Sequence, residues 1–167
     1  MILDATCGLR GFWKNRDLKN LVCLDRRSSV KPDIVADDRF LPFRESVFDA
    51  IYFDPPHNHG QGGFYKERYG GFGSYENLRE LYRKGTKEFA RCLRVGGLLV
   101  VKLTRLIQYH GSKHHESLIE SQMDRRFSEY AQAAGLTLRV SRERASRGFS
   151  RTARVVWLTF RKQSVLA

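Results

Sequence analysis

Short apolar runs, each ended by an acid or a turn residue, recur along the first two thirds of the chain and are separated by longer polar stretches. "MILDATCG" contains the first, "LVCLD" (Leu21 to Asp25) the second, "DIVADD" (Asp33 to Asp38) the third and "VFDAIYFDPP" (Val47 to Pro56) the fourth. The fifth, "GGLLVVKLT" (Gly96 to Thr104), follows a stretch in which Leu78, Leu81, Tyr82, Phe89 and Leu93 recur mostly at the spacing of one helix face. Continuous apolar runs suit strands buried on both faces, whereas alternating runs suit half-exposed ones. The pattern therefore predicts a parallel sheet covered by helices, an α/β fold. Further on, "SLIESQMDRRFSEYAQAAG" (Ser117 to Gly135) predicts a helix: a serine starts it, Ile119, Met123, Phe127 and Tyr130 share a face, and a glycine ends it. "LTLRV" and "ARVVWLTF" predict two closing strands. No internal repeat, low-complexity segment or linker interrupts the 167 residues, so a single domain over residues 1–167 is expected.

Ligands of open parallel sheets bind outside the carboxyl ends of the strands. Four predicted strands end there in acids: Asp4, Asp25, Asp37 with Asp38, and Asp54. Such a row suits the reading of hydroxyls and amines. The overall charge has the opposite sign, +12, which points to a polyanionic partner. Arginines concentrate in "RVSRERASRGFSRTAR", where only Glu143 interrupts Arg139, Arg142, Arg144, Arg147, Arg151 and Arg154. They are expected on a protruding hairpin or loop between the last two strands, where they suit phosphate contacts. Cys7, Cys23 and Cys92 are odd in number and follow no disulfide or metal-ligand spacing, as expected of core or site-lining thiols in a reducing compartment. His57, His59, His114 and His115 form no matched ligand pairs, so no metal is expected. No apolar run approaches the roughly 18 residues of a membrane span, and strand-like sequence follows Met1 directly, so a cytoplasmic protein without membrane association is expected.

In this order, the segments resemble the class I S-adenosylmethionine-dependent methyltransferases. Within that class they are similar to the amino-group methyltransferases with an Asp/Asn-Pro-Pro-aromatic motif, here "DPPH". "LDATCGLRG" resembles the first motif, with Arg10 where a second glycine is common. "LVCLDRR" resembles the second strand, and "VADDRFLPFRESVFDAIYFDPPH" the third and fourth motifs run together. "LRVGGLLVVK" resembles the turn and fifth strand of the class. The resemblance spans about residues 1 to 104, with a helix and two closing strands after it. It implies a Rossmann-like, mostly parallel seven-stranded sheet with helices on both faces and the N-terminal helix missing or reduced. It also implies S-adenosyl-L-methionine as cofactor, held by Asp4, Thr6, Cys7, Gly8, Asp25, Asp37 and Phe53. Asp25 would take the ribose hydroxyls, and Asp37 the adenine amino group.

The resemblance implies a catalytic group of Asp54, Pro55, Pro56 and His57. An exocyclic base amine is a poor nucleophile because its lone pair is delocalised into the ring. The Asp54 carboxylate and the Pro55 carbonyl can accept its two hydrogens and favour a pyramidal nitrogen. Two prolines fix φ and carry no amide donors, so they hold that turn rigidly. His57 stands where the family usually has Tyr, Phe or Trp; imidazole can stack on a base or hydrogen-bond to it. From His57 to Tyr75 glycines alternate with aromatics, as in a lid that stacks an extruded base or as in a surface loop whose rings pack down. A C5-pyrimidine methyltransferase is disfavoured because no cysteine lies near the fourth motif. The expected function is methylation of an exocyclic base amine in nucleic acid. RNA is favoured over DNA, since DNA enzymes generally carry a separate recognition domain. The alternative is a catalytically inactive nucleic-acid-binding protein of the same fold, and a recognition subunit or a homodimer is compatible with either.

Overall fold

A computed structural model of the chain describes residues 1–13, 19–55, 74–106, 123–145 and 153–164. Its strands are β1 (Ile2–Asp4), β2 (Leu21–Asp25), β3 (Ile34–Val35), β4 (Phe48–Phe53), β5 (Leu93–Leu106), β6 (Leu136–Ala145) and β7 (Ala153–Lys162). Helix α1 (Tyr75–Cys92) runs into β5, α2 (Met123–Ala133) precedes β6, and 3-10 turns span Gly11–Trp13 and Ser28–Val30. The sheet has the order β3-β2-β1-β4-β5-β7-β6. Pairs from β3 through β5 are parallel, and β7 runs antiparallel to both β5 and β6. This is the Rossmann-like, mostly parallel seven-stranded sheet that the sequence implied. Strand order reverses between β1 and β4, so the binding crevice belongs at their carboxyl ends.

One face of the sheet carries the core. Ile51, Phe53, Leu99, Val101, Leu103, Val156, Leu158 and Phe160 are buried there. Helix α1 is capped by Ser74, whose hydroxyl oxygen accepts the Asn77 N–H at 3.2 Å, and it buries Leu78, Leu81, Tyr82, Phe89 and Cys92 along one stripe. Phe127 of α2 joins the two helices to the sheet, with ring centroids 5.2 Å from Tyr82, 6.0 Å from Phe53 and 5.9 Å from Phe160. Each such buried ring contributes about 1.5–3 kcal/mol of apolar burial. The "LPF" segment is tied to α1 by Arg91, which donates to the carbonyls of Phe43 at 2.8 Å and Leu41 at 3.1 Å. Glu88 completes that tie by accepting the Leu41 N–H at 2.9 Å. Gly97 has to be glycine, because a Cβ would sit 2.9 Å from the Arg94 carbonyl oxygen and 3.2 Å from that of Asp49.

Among the described residues, both α-helices lie on this core face. The opposite face carries the Gly11–Trp13 turn, whose Phe12 and Trp13 rings pack on Tyr52 at 5.6 and 4.9 Å. Two expectations about extent are corrected. β3 is only two residues long, ending before the acids of "DIVADD". Of the hairpin or loop expected for the arginine segment, the described part is hairpin, and its strands run further than the expected "LTLRV" and "ARVVWLTF": Arg139, Arg142 and Arg144 lie in β6, and Arg154 lies in β7. β6 and β7 stay paired as far as Ala145 and Arg154, since an antiparallel ladder satisfies the backbone while charged side chains remain in water. Pro56, His57, the glycine-rich stretch through residue 73, Arg147 and Arg151 lie outside the described residues. Among those described, no helix is long and apolar enough to cross a membrane, and no group of three or more His, Cys, Asp or Glu is placed to hold a metal ion.

Candidate active site

The turn after β1 is built on a left-handed glycine. Gly8 has φ +50, and its N–H donates to Asp25 Oδ2 at 3.0 Å, joining the turn to the end of β2. The Cys7 N–H donates to the Leu24 carbonyl at 3.0 Å and makes the same connection. Arg10 also takes a positive φ of 56, the conformation a glycine would adopt without strain, and it donates to Asp33 Oδ1 at 2.6 Å. Burial pushes the Cys7 thiol up, so this side chain is a neutral lining group.

Asp4 is buried beneath that turn. One of its oxygens accepts the Thr6 N–H at 3.1 Å and the other accepts the Trp13 indole N–H at 2.5 Å. Burial raises its pKa to about 6, although both hydrogen bonds oppose the rise. Because the folded pKa lies above the unfolded one, Asp4 favours folding fully below about pH 4 and loses that contribution, about 3 kcal/mol, as pH rises through about 6. Urea denaturation across this range should show stability falling with pH, and Asp4→Asn should flatten the fall. An unchanged slope in the variant would remove Asp4 as its source.

The two acids expected at the cofactor edge are each held by the arginine two residues on. Asp25 accepts from the Arg27 backbone N–H at 2.9 Å and from its guanidinium at 3.0 and 3.1 Å. Burial alone would raise this carboxyl, but the hydrogen bonds and charge of Arg27, with the Gly8 N–H, hold it below the usual range. Asp37 is lowered by Arg39, whose guanidinium donates at 2.9 and 2.7 Å and whose N–H donates at 2.9 Å. Asp38 behaves in the opposite way. It is buried beside Asp37, its Oδ1 has no partner among the described residues, and burial with the neighbouring Asp37, Asp25 and Asp4 charges holds it well above the usual range.

Asp54 follows the end of β4, next to the β1 turn. Its N–H donates to Thr6 Oγ1 at 2.7 Å, so a residue of the first motif fixes the backbone of the fourth. Its carboxylate is 42% exposed and accepts from Lys102 Nζ at 2.6 Å. Pro55 is buried. The structure thus gathers Asp4, Thr6, Cys7, Gly8, Asp25, Asp37 and Asp54 at the carboxyl edge. Phe53 differs: it is 1% exposed, with its ring 4.9 Å from Phe89, so its side chain serves the core and only its backbone reaches the edge.

Sequence reasoning missed Lys102, Trp13, Arg27 and Arg39. Lys102 was legible as a lone charge inside "LLVVKLT", since a buried strand keeps a lysine only where it has a partner. Arg27 and Arg39 share an Asp-x-Arg spacing that places a guanidinium back on the carboxylate.

No protein-family model matches the chain, and no curated protein matches it in sequence. Solved structures do match its fold. A SAM-dependent methyltransferase from Methanosarcina mazei superposes with a TM-score of 0.65 at 12% identity, over 98% of this chain and 92% of that one. The [4+2]-cyclase SpnF gives 0.64 at 15% identity, over 97% and 75%. The N-methyltransferase NodS from Bradyrhizobium japonicum, in complex with S-adenosylhomocysteine, gives 0.60 at 11% identity, over 98% and 76%. At these identities the likeness establishes the architecture, and the chain has the Rossmann-like fold of the class I S-adenosylmethionine-dependent methyltransferases.

Proposed function

We propose that this chain is an S-adenosylmethionine-dependent methyltransferase acting on an exocyclic amino group of a base in nucleic acid, RNA in preference to DNA. The observation that carries the reading is the junction of Asp54 with the β1 turn, through its N–H on Thr6 Oγ1. It sets a solvent-reaching carboxylate beside the edge where the fold binds its cofactor.

The residues at that edge fit the cofactor. Gly8 leaves its inner side open, since a Cβ there would meet only Arg27 Nη2 at 3.8 Å and the Thr6 carbonyl oxygen at 4.0 Å. Asp25 supplies a charged acceptor for ribose hydroxyls. It already accepts four hydrogen bonds, so the hydroxyls would displace the Arg27 guanidinium while the Gly8 and Arg27 backbone bonds remain. Asp37, whose side chain is 30% exposed, offers an acceptor to the adenine amino group.

When bound, the cofactor supplies a methyl group already activated on its sulfonium. This chain has to position the acceptor. Asp54 accepts one hydrogen of the amine and the Pro55 carbonyl the other, turning the nitrogen lone pair toward the methyl group. Lys102 holds Asp54 through Nζ and fixes the carboxylate rotamer that meets the amine. The resemblance assigns His57, which lies outside the described residues, to the base, by stacking on it or hydrogen-bonding to it. Exposed arginines in β6 and a net charge of +12 favour a polyanionic acceptor.

A small-molecule acceptor is the second reading, favoured by the structural neighbours named as a sarcosine dimethylglycine methyltransferase and a geranyl diphosphate methyltransferase. Methyl-labelled cofactor offered with RNA, single-stranded DNA and small amines together separates the two. Label is expected in RNA foremost. Label confined to small amines would replace the nucleic-acid reading, and cofactor binding without any transfer would favour an inactive binding protein.

A further inference from the structure

The sheet face opposite α1 and α2 carries a row of side chains that runs from Lys102 and Asp54 to residues the catalytic reading does not use. In β6 the register slips between Leu138 and Val140, with Arg139 as the extra residue. Before the slip Leu138 pairs with Phe160, whose side chain lies in the core. After it Val140, Arg142 and Arg144 pair with Thr159, Trp157 and Val155, which alternate with the buried Leu158 and Val156. Directly opposed residues of an antiparallel pair share a face. The bulge therefore moves the even-numbered residues of β6 from the core face to the opposite one, the re-aiming that such bulges perform. Without it Arg142 would oppose a core position.

The row continues inward from Arg142. Arg142 pairs with Trp157, and Trp157 pairs with Lys102 of β5. Lys102 Nζ lies 6.0 Å from the Trp157 ring centroid and 2.6 Å from Asp54 Oδ2. Phe12 caps the row, 48% exposed, with its ring 6.0 Å from Trp157 and 5.6 Å from Tyr52. Arg142 and Arg144 are exposed and form no ion pair with any described residue, whereas Arg154 is paired with Glu143 at 3.6 Å. From β6 to β4 is three strand spacings, about 14 Å. Guanidiniums unpaired among the described residues at one end, the exposed Phe12 ring and the half-buried Trp157 ring in the middle and the Asp54 carboxylate at the other end form one continuous line.

We propose that this row is a track for a single nucleic-acid strand, with Arg142 and Arg144 on its phosphates and Phe12 and Trp157 stacking its bases, leading the target base to Asp54. It rests on the reading of a nucleic-acid methyltransferase and narrows the acceptor to single-stranded or locally unpaired segments. Rings on an open sheet can stack only bases that are free of a duplex, and stacking of this kind tolerates any sequence. The charge of the row also complements a phosphate backbone.

Fluorescence anisotropy with the whole chain tests it, using a short mixed-sequence RNA as single strand and as duplex. The single strand should bind tighter. R142A/R144A should lower the magnitude of its log affinity versus log salt slope by about 1.4, two phosphate contacts' worth. Phe12→Ala should weaken binding by roughly 5- to 150-fold, the range for losing one stacked base, and Phe12→Tyr should restore most of it. Arg125→Ala, an exposed arginine of α2 on the other face, serves as control and should match wild type. Equal affinity for duplex and single strand, or a double variant no different from Arg125→Ala, overturns the track. If RNA is still methylated in that case, the methyltransferase reading stands without it. If binding follows the track while no nucleic acid is methylated, the track stands and the acceptor assignment falls.

Discussion

Asp54→Ala is expected to lower methyl transfer by on the order of 10²- to 10³-fold while leaving cofactor affinity within several-fold. The substitution removes the acceptor that orients the amine. The backbone bond from the residue 54 N–H to Thr6 Oγ1 does not depend on its side chain, so the cofactor turn stays in place. The loss should therefore appear in turnover, with cofactor affinity unaffected. Asp54→Asn separates charge from shape: it keeps one acceptor oxygen but loses the ion pair with Lys102, and an intermediate loss is expected. Single-turnover rates beside calorimetric titration with S-adenosylhomocysteine give both quantities. Wild-type turnover in Asp54→Ala would remove Asp54 from the catalytic group.

Asp25→Ala is expected to weaken cofactor binding by on the order of 10²-fold, since hydrogen bonds from ribose hydroxyls to a charged carboxylate contribute about 1.5–3 kcal/mol each. Part of that gain is offset in the native chain by displacing the Arg27 guanidinium. Alanine also removes the carboxylate that Gly8 N–H and Arg27 donate to, so a fall in stability is expected alongside. Asp25→Asn keeps the shape of the turn and should retain the fold while still losing most of the affinity. Calorimetry on both variants checks this. Unchanged affinity in Asp25→Asn together with Asp25→Ala would mean that the ribose is held elsewhere.

The first four strands were legible because their apolar runs lead into acids at one edge, a pattern that needs no tertiary information. What escaped depended on partners distant in sequence. β3 stops at Val35, and Asp38 looks like any surface acid until its burial is seen. The arginines of "RVSRERA" left hairpin and loop both open; pairing with β7 makes them strand, and the bulge at Arg139 decides which face they take. Phe53 adjoins Asp54 in sequence, but strand alternation sends its ring into the core. The Trp13 indole on Asp4 joins residues of the same loop, yet composition gave no sign that the acid beneath the turn would be buried.

The central claim is that Asp54, set against the β1 turn, directs a methyl group onto an exocyclic base nitrogen. The most direct measurement is mass spectrometry of nucleosides digested from RNA after incubation with the purified chain and methyl-labelled S-adenosylmethionine. The account predicts label on an exocyclic amine of one base, present with wild type and absent with Asp54→Ala. Label on a ring carbon, a ribose hydroxyl or no nucleoside at all, from protein that binds S-adenosylhomocysteine, would contradict it.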